Sequence, residues 1–212
     1  PEQADAIADA VQGAVSVERQ PDSSSDPSFG ISQLATVAWT SISTAKSNPA
    51  PGLAAIRSLR DLLQRWLDQD HSDALEAGHG ADPIPLVYPD RALEQVLSVY
   101  ESLLVVASES MQHQSAAEVL RALATLLDIL PASRQEQAEQ AALRGISALG
   151  DHVLTGPLED ALVTLAEALQ RAGRTEAARQ VAEATDRLRN TVGRLRSRGT
   201  RANSGPSRAG GD

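Results

Sequence analysis

The chain has 212 residues, a formal net charge of −9, 42% hydrophobic and 2% aromatic residues, and no cysteine. So few aromatics argue against a β-sandwich or barrel, whose half-buried strands favour aromatic and β-branched side chains. The missing cysteines exclude disulfides, thiolate metal sites and cysteine nucleophiles. No apolar run reaches the roughly 18 residues of a spanning helix, and no segment has the form of a signal peptide.

The charge is uneven. From Arg187 onward there are seven arginines and one acid, a local charge of +6, which leaves −15 for the residues before it. An acidic body repels nucleic acid and anionic lipid, while a basic end attracts both. Lys46 is the only lysine.

Taken in chain order, nearly every segment between proline and glycine punctuation has apolar spacing of three and four. Residues 2–15 read as a short helix with Ile7, Val11 and Val15 in line. Asp26-Pro27 supplies an N-cap and a first-turn proline for a helix over 27–45, with Ile31, Leu34, Ala38 and Ile42 inward. Asn48-Pro49-Ala50-Pro51-Gly52 stops it and should form a rigid joint, in which the Asn48 side chain bonds the turn backbone. A helix over 52–68 presents Leu53, Ile56, Leu59, Leu63, Trp66 and Leu67. Residues 69–89 read as a long loop in which Ile84–Tyr88 is extended.

Asp90 is placed to cap the next helix, whose face runs from Leu93 through Tyr100 and Leu104 to Met111. Ser115-x-x-Glu118 and Ser133-x-x-Glu136 have the capping-box form and would open two further helices. The first presents Leu123 and Leu127, the second Ile146, Leu149 and Val153. Gly156-Pro157 starts a helix that Gly173 ends. The last runs from Thr175 to near Arg198, and Leu158–Leu188 resembles one tetratricopeptide-type hairpin without a second copy upstream. The Gly/Ser/Arg-rich stretch 199–212 is expected to be disordered.

Few side chains suggest chemistry. Asp68, Asp70, His71, Asp73, Glu76, His79 and Asp82 could offer metal ligands, but their spacing fits no ligand pattern and reads as a solvated loop. His113 and His152 read as helix-end histidines, His113 with its charge suited to the macrodipole. No serine lies in a nucleophile elbow, and Gly78-His79-Gly80 is no phosphate loop. Arg187, Arg189, Arg194, Arg196, Arg198 and Arg201 form a basic stripe suited to anionic lipid, with no aromatic beside them for stacking on bases.

Residues Glu18-Arg19-Gln20, Asp26-Pro27-Ser28-Phe29-Gly30-Ile31-Ser32-Gln33-Leu34 and Asn48-Pro49 together carry a resemblance. The stretch Val17–Leu63 is similar to the soluble C-terminal part of a bacterial family of predicted integral membrane proteins of unknown function. Asp90–Leu130 resembles it more loosely, and the likeness is read from Glu2 to Gly173. The family pattern has a basic residue where Ser32 stands, an acid where Thr36 stands, and Asn-Asp-Pro where Ser47-Asn48-Pro49 stands. The resemblance implies a membrane-attached parent and no particular reaction.

The resulting expectation is an all-α, antiparallel bundle of about eight amphipathic helices over residues 1–198, with a disordered basic tail at 199–212. Within it, 18–68 is a motif-bearing helix-turn-helix and 90–198 a set of helical hairpins. The expected role is that of a non-catalytic soluble domain of a membrane protein, acting in assembly or partner contact. One alternative is a ligand or catalytic site near Phe29, Gln33 and Asn48; another is a soluble tetratricopeptide-like adaptor. No cofactor or metal is expected. Expected partners are transmembrane segments of the same parent chain, a protein partner or second copy, and weakly anionic lipid, but not nucleic acid. Starting without methionine, the sequence is expected to be a soluble piece, on the cytoplasmic side, of a parent whose spans precede it.

Overall fold

Local capping chemistry sets the first two helices. The Asp26 carboxylate accepts the N–H groups of Ser28 at 2.9 Å and Phe29 at 3.3 Å. Pro27 has no N–H to leave unpaired there, so helix α1 (Pro27–Thr44) begins where the sequence indicates. Asn48 accepts the N–H of Ala50 at 3.2 Å and opens α2 (Ala50–Glu76). Five more helices follow: α3 (Ala92–Glu109), α4 (His113–Ile129), α5 (Ala132–Ser147), α6 (Gly156–Arg171) and α7 (Thr175–Arg201).

The computed structural model describes residues 26–44, 48–76, 91–150 and 152–201, with side chains left out at 69–76 and 192–201. Among the described residues there are seven helices and no strand. The helix expected over 2–15, the extended piece Ile84–Tyr88, the cap Asp90 and residues 202–212 lie outside them.

Several boundaries differ from expectation. Helix α2 continues to Glu76 instead of stopping near residue 68, because no proline or glycine interrupts it before Gly78. Helix α7 continues to Arg201, so 199–201 are helical. Met111, expected on the core face, is 51% exposed and sits at φ 55° just past the end of α3. There the N–H of Gln112 returns to the Ala107 carbonyl at 2.8 Å, closing the helix with a left-handed turn usually given to glycine. Gly173 does the same after α6 at φ 73°, with Arg174 N–H on the Leu169 carbonyl at 2.8 Å.

Neither capping box forms. Helix α4 starts at His113, so Ser115 falls inside the first turn and is fully buried. Its would-be partner Glu118 turns to Arg57 of α2, whose Nε donates to Glu118 Oε1 at 2.7 Å. Helix α5 starts at Ala132, one residue before Ser133, which is exposed. Gln135 acts instead: its side-chain amide donates to the Leu127 and Leu130 carbonyls at 3.1 and 3.2 Å, satisfying the end of α4.

The core is built around α4. Residues 115–120, 122–124, 126 and 127 are buried, so this helix is covered on nearly every side. It packs against α2, α3 and α5, and most extensively against α6. Leucines expected inside at positions 63, 97, 104, 123, 127 and 165, with Ile56 and Ile146, are buried. Leu34 is only partly so, because it lies at the edge of the buried stripe Ile31–Ala38–Ile42. Tyr100 is fully buried and donates its hydroxyl to the Ile56 carbonyl at 3.1 Å, tying α3 to α2. Burial pushes that phenol well above its ordinary pKa. Trp66 is half-buried with the Arg134 guanidinium 4.7 Å from its ring centroid, joining α2 to α5.

Helices α3 and α5 approach closest at Gly145, where a Cβ would overlap the Leu104 side chain. Leu104 is fully buried and has little room to move away. Gly145→Val should therefore destabilise the domain by about 1–3 kcal/mol, as overpacking does. Leu104→Ala alone should cost about 2–5 kcal/mol. Urea titration of the double variant should show less than the summed loss, because the smaller side chain accommodates the new one.

Candidate functional site

The residues singled out by the resemblance do not converge. Phe29 is half-buried and Gln33 exposed, both in the first half of α1. Asn48 is exposed beyond the other end of that helix. At 1.5 Å rise per residue, Phe29 and Thr44 lie about 22 Å apart along the axis. The turn instead makes a close helix contact. The Gly52 N–H donates to Ser41 Oγ at 3.1 Å, and a Cβ at Gly52 would stand 3.3 Å from Ile42 and Ser41.

The basic stripe is partly engaged. Arg189 donates to Glu159 of α6 at 2.8 Å and to Asp186 at 2.7 Å, so it fastens α7 to α6. Arg187 is exposed. The side chains of Arg194, Arg196, Arg198 and Arg201 are outside the described residues, as are those of the expected metal loop from Asp70 through Asp82. No group of three or more metal-ligating side chains occurs among the described residues.

The two histidines, read separately from sequence, form a pair. His113 Nδ1 and His152 Nδ1 are 2.9 Å apart with the rings edge to face, so one must donate and the other accept. His113 opens α4, the positive end of the helix dipole, not the C-terminal end expected from sequence. His152 is 2% exposed, and its Nε2 has no hydrogen-bond partner. Burial first, and the facing His113 second, hold its pKa below the ordinary histidine value. Beside the pair, Ser108 Oγ donates to the Ala148 carbonyl at 2.6 Å. Both contacts pin the segment after α5 to the turn between α3 and α4.

Among the described residues, two of the surface grooves bear on function. One of about 630 Å³ lies between α3 and α5, lined by Glu94, Glu101, Ser133, Glu136, Gln140 and Arg144. Its single cation donates to Glu101 through Nε at 3.0 Å, which leaves the groove acidic.

The other runs between α1 and α3 as two adjoining depressions of about 300 and 490 Å³. Ala35, Ser98 and Val99 line both, Trp39 and Leu103 the first, Ile31 and Arg91 the second. Trp39 is 52% exposed beside it. Helix α1 contains no charged residue in 18 positions. Several hydroxyls here are turned back on their own helices: Ser32 and Thr36 donate to the Ser28 and Ser32 carbonyls at 2.8 Å, and Ser102 of α3 donates to the Ser98 carbonyl at 3.0 Å. Ser32 and Thr36 line this groove, and they are the two positions where the resemblance leads one to expect a base and an acid. Sequence reading recorded the inward stripe of α1 and missed this outer face. The available signal was the run of 18 uncharged residues around a lone tryptophan.

The described residues are thus all-helical, with an outer groove whose α1 wall carries no charge. The model of the family described as predicted membrane protein (DUF2254) matches residues 1–128, and the chain belongs to that family. The match ends in the last turn of α4, short of the Gly173 read from sequence. No curated protein and no solved structure matches the chain. None of the described helices is long and apolar enough to cross a membrane.

Two outcomes follow from these contacts. Asn48→Ala removes the acceptor at the start of α2 and should lower stability by about 1 kcal/mol, read as a lower Tm with an unchanged helical spectrum. His152 stays neutral in the folded state at a pH where the unfolded chain, titrating near 6.5, takes up a proton. Stability should therefore be full above about pH 6.5 and fall as pH drops below it, by at most about 1.4 kcal/mol per pH unit. Urea midpoints measured across that range should show the fall, and His152→Gln should flatten it.

Proposed function

We propose that this chain is a non-catalytic helical domain of a membrane protein, lying on the cytoplasmic side and working in assembly or partner contact. The observation that supports it best is the α1–α3 groove, whose α1 wall carries no charge, with Trp39 half out of the surface in a protein of net charge −9. Exposed tryptophan beside a groove is a common anchor of protein interfaces. Several polar groups that could have served chemistry have structural partners: His152 Nδ1 has His113, Glu118 has Arg57, and Glu101 has Arg144. Facing residues also support reading chain neighbours as antiparallel hairpins. Ser41 meets Gly52 across α1 and α2, Tyr100 meets Ile56 across α2 and α3, and Glu159 meets Arg189 across α6 and α7. The exposed Arg187 and the basic end of α7 suit weak contact with anionic headgroups as a secondary role.

Site-specific photocrosslinking in the parent membrane protein tests the main reading. A photoreactive residue at position 39 should give a discrete protein adduct, and one at the exposed Thr164 of α6 should not. The absence of any protein adduct at position 39 would refute the proposal. Trp39→Glu should shift stability by no more than about 0.5 kcal/mol, as surface changes do.

A further inference from the structure

The groove's composition narrows its occupant. We infer that the α1–α3 face is where a second copy of this chain docks about a two-fold axis, with Trp39 of each copy seated in the groove of the other; this rests on reading the domain as a contact module.

Charge supports it first. A two-fold contact lays a patch against its own image, so every charge in the patch is doubled with the same sign. On a chain of net charge −9, most surfaces meet themselves with repulsion. Helix α1 brings none, and across the groove α3 presents Ser98, Val99 and Ser102. Glu101 on the same helix is directed away, to Arg144 of α5. Arg91 and Glu94 stand only at the end nearest the start of α1.

Shape supports it second. Ala35, Ser98 and Ser102 are small, and small residues let a foreign helix come close to the backbone. The depression of about 300 Å³ that they line has Trp39 on its rim. One patch therefore carries both a knob and a hole, which self-complementarity requires. The outer arc of α1 continues through Thr36 and Thr40 to Val37, 47% exposed, and α3 adds Val105, 43% exposed. Desolvation supports it third. The hydroxyls of Ser32, Thr36, Thr44 and Ser102 are already bonded to carbonyls of their own helices, so burying them strands no donor, and only those of Ser98 and Thr40 in the patch need a partner across the contact.

The test uses the 212-residue chain with Trp66→Phe, which leaves Trp39 as the only indole. Sedimentation velocity and tryptophan emission are followed from nanomolar to high micromolar concentration. The expected result is a monomer–dimer transition with a blue shift of emission in step with the dimer fraction. Trp39→Glu, read by hydrodynamics alone, should raise the dimer Kd about 30-fold or more, as loss of a central anchor does. Ser102→Arg, on the facing helix, should do the same with Trp39 still in place as reporter, and it serves if Trp39→Glu fails to fold. A monomer at every concentration with red-shifted emission would overturn the inference, as would a dimer indifferent to both variants. A blue shift caused by phosphatidylcholine vesicles, with the protein still monomeric, would also overturn it and assign the face to lipid. A monomeric chain that still gives a position-39 adduct to another protein in cells would sink the second-copy inference and leave the contact reading standing.

Discussion

The rest of the structure depends on one helix being dry. Helix α4 is buried along almost its whole length, which requires neighbours on every side and favours a partner for each polar group it takes inside, although Ser115 Oγ is buried with none. Alanines at 116, 117, 122 and 124 let those neighbours approach closely, and leucines at 120, 123, 126 and 127 fill the space between them. Glu118, 8% exposed, is tolerated because Arg57 of α2 meets it in a two-pronged contact and Arg121 stands 3.8 Å away. The last carbonyls of α4 are met by Gln135. Arg57 and Gln135 come from two different helices, α2 and α5, so burying α4 fixes where those two lie.

Helix α4 also joins two stretches of the chain. The family match covers α1 to the last turn of α4, and α5 to α7 lie beyond it. The contacts across that boundary are specific. Arg121 donates to the Pro157 carbonyl at 3.1 Å, Asp128 accepts from Arg171 at 2.7 Å, and His113 meets His152. The first two are exposed and contribute little alone, since surface ion pairs are worth at most about 1 kcal/mol. The histidine pair differs because one ring is buried, and burial holds the pKa of that ring, His152, below the ordinary histidine value. The apolar contact of α4 with α6 supplies most of the adhesion, and the polar contacts fix its register.

Arginines pair with acids over much of the periphery, at Arg144–Glu101, Arg171–Asp128, Arg174–Glu139, Arg179–Glu176 and Arg189–Glu159. Helix α1 stands outside this pattern, with no charge and with the hydroxyls of Ser32, Thr36 and Thr44 folded onto its own backbone. A surface in that state loses little on leaving water and gains through Trp39. The property belongs to the pairing of α1 with α3 and not to either helix alone.

Helix class, most of the core and two caps were legible in the sequence. Apolar spacing of three and four is a local property, and it identifies an inward stripe without knowing what the stripe meets. Asp26 and Asn48 act within two or three residues, so their effect is likewise local. The capping boxes misled because the same short range cannot register competition: Glu118 had a better partner 61 residues away, and α4 began two residues earlier than its serine. The histidine pair, the Gly145–Leu104 approach and the α1–α3 groove each join residues from separate helices. Sequence spacing holds no distance between such residues. Only packing around α4 brought them together, and with them the surface on which the function is proposed to rest.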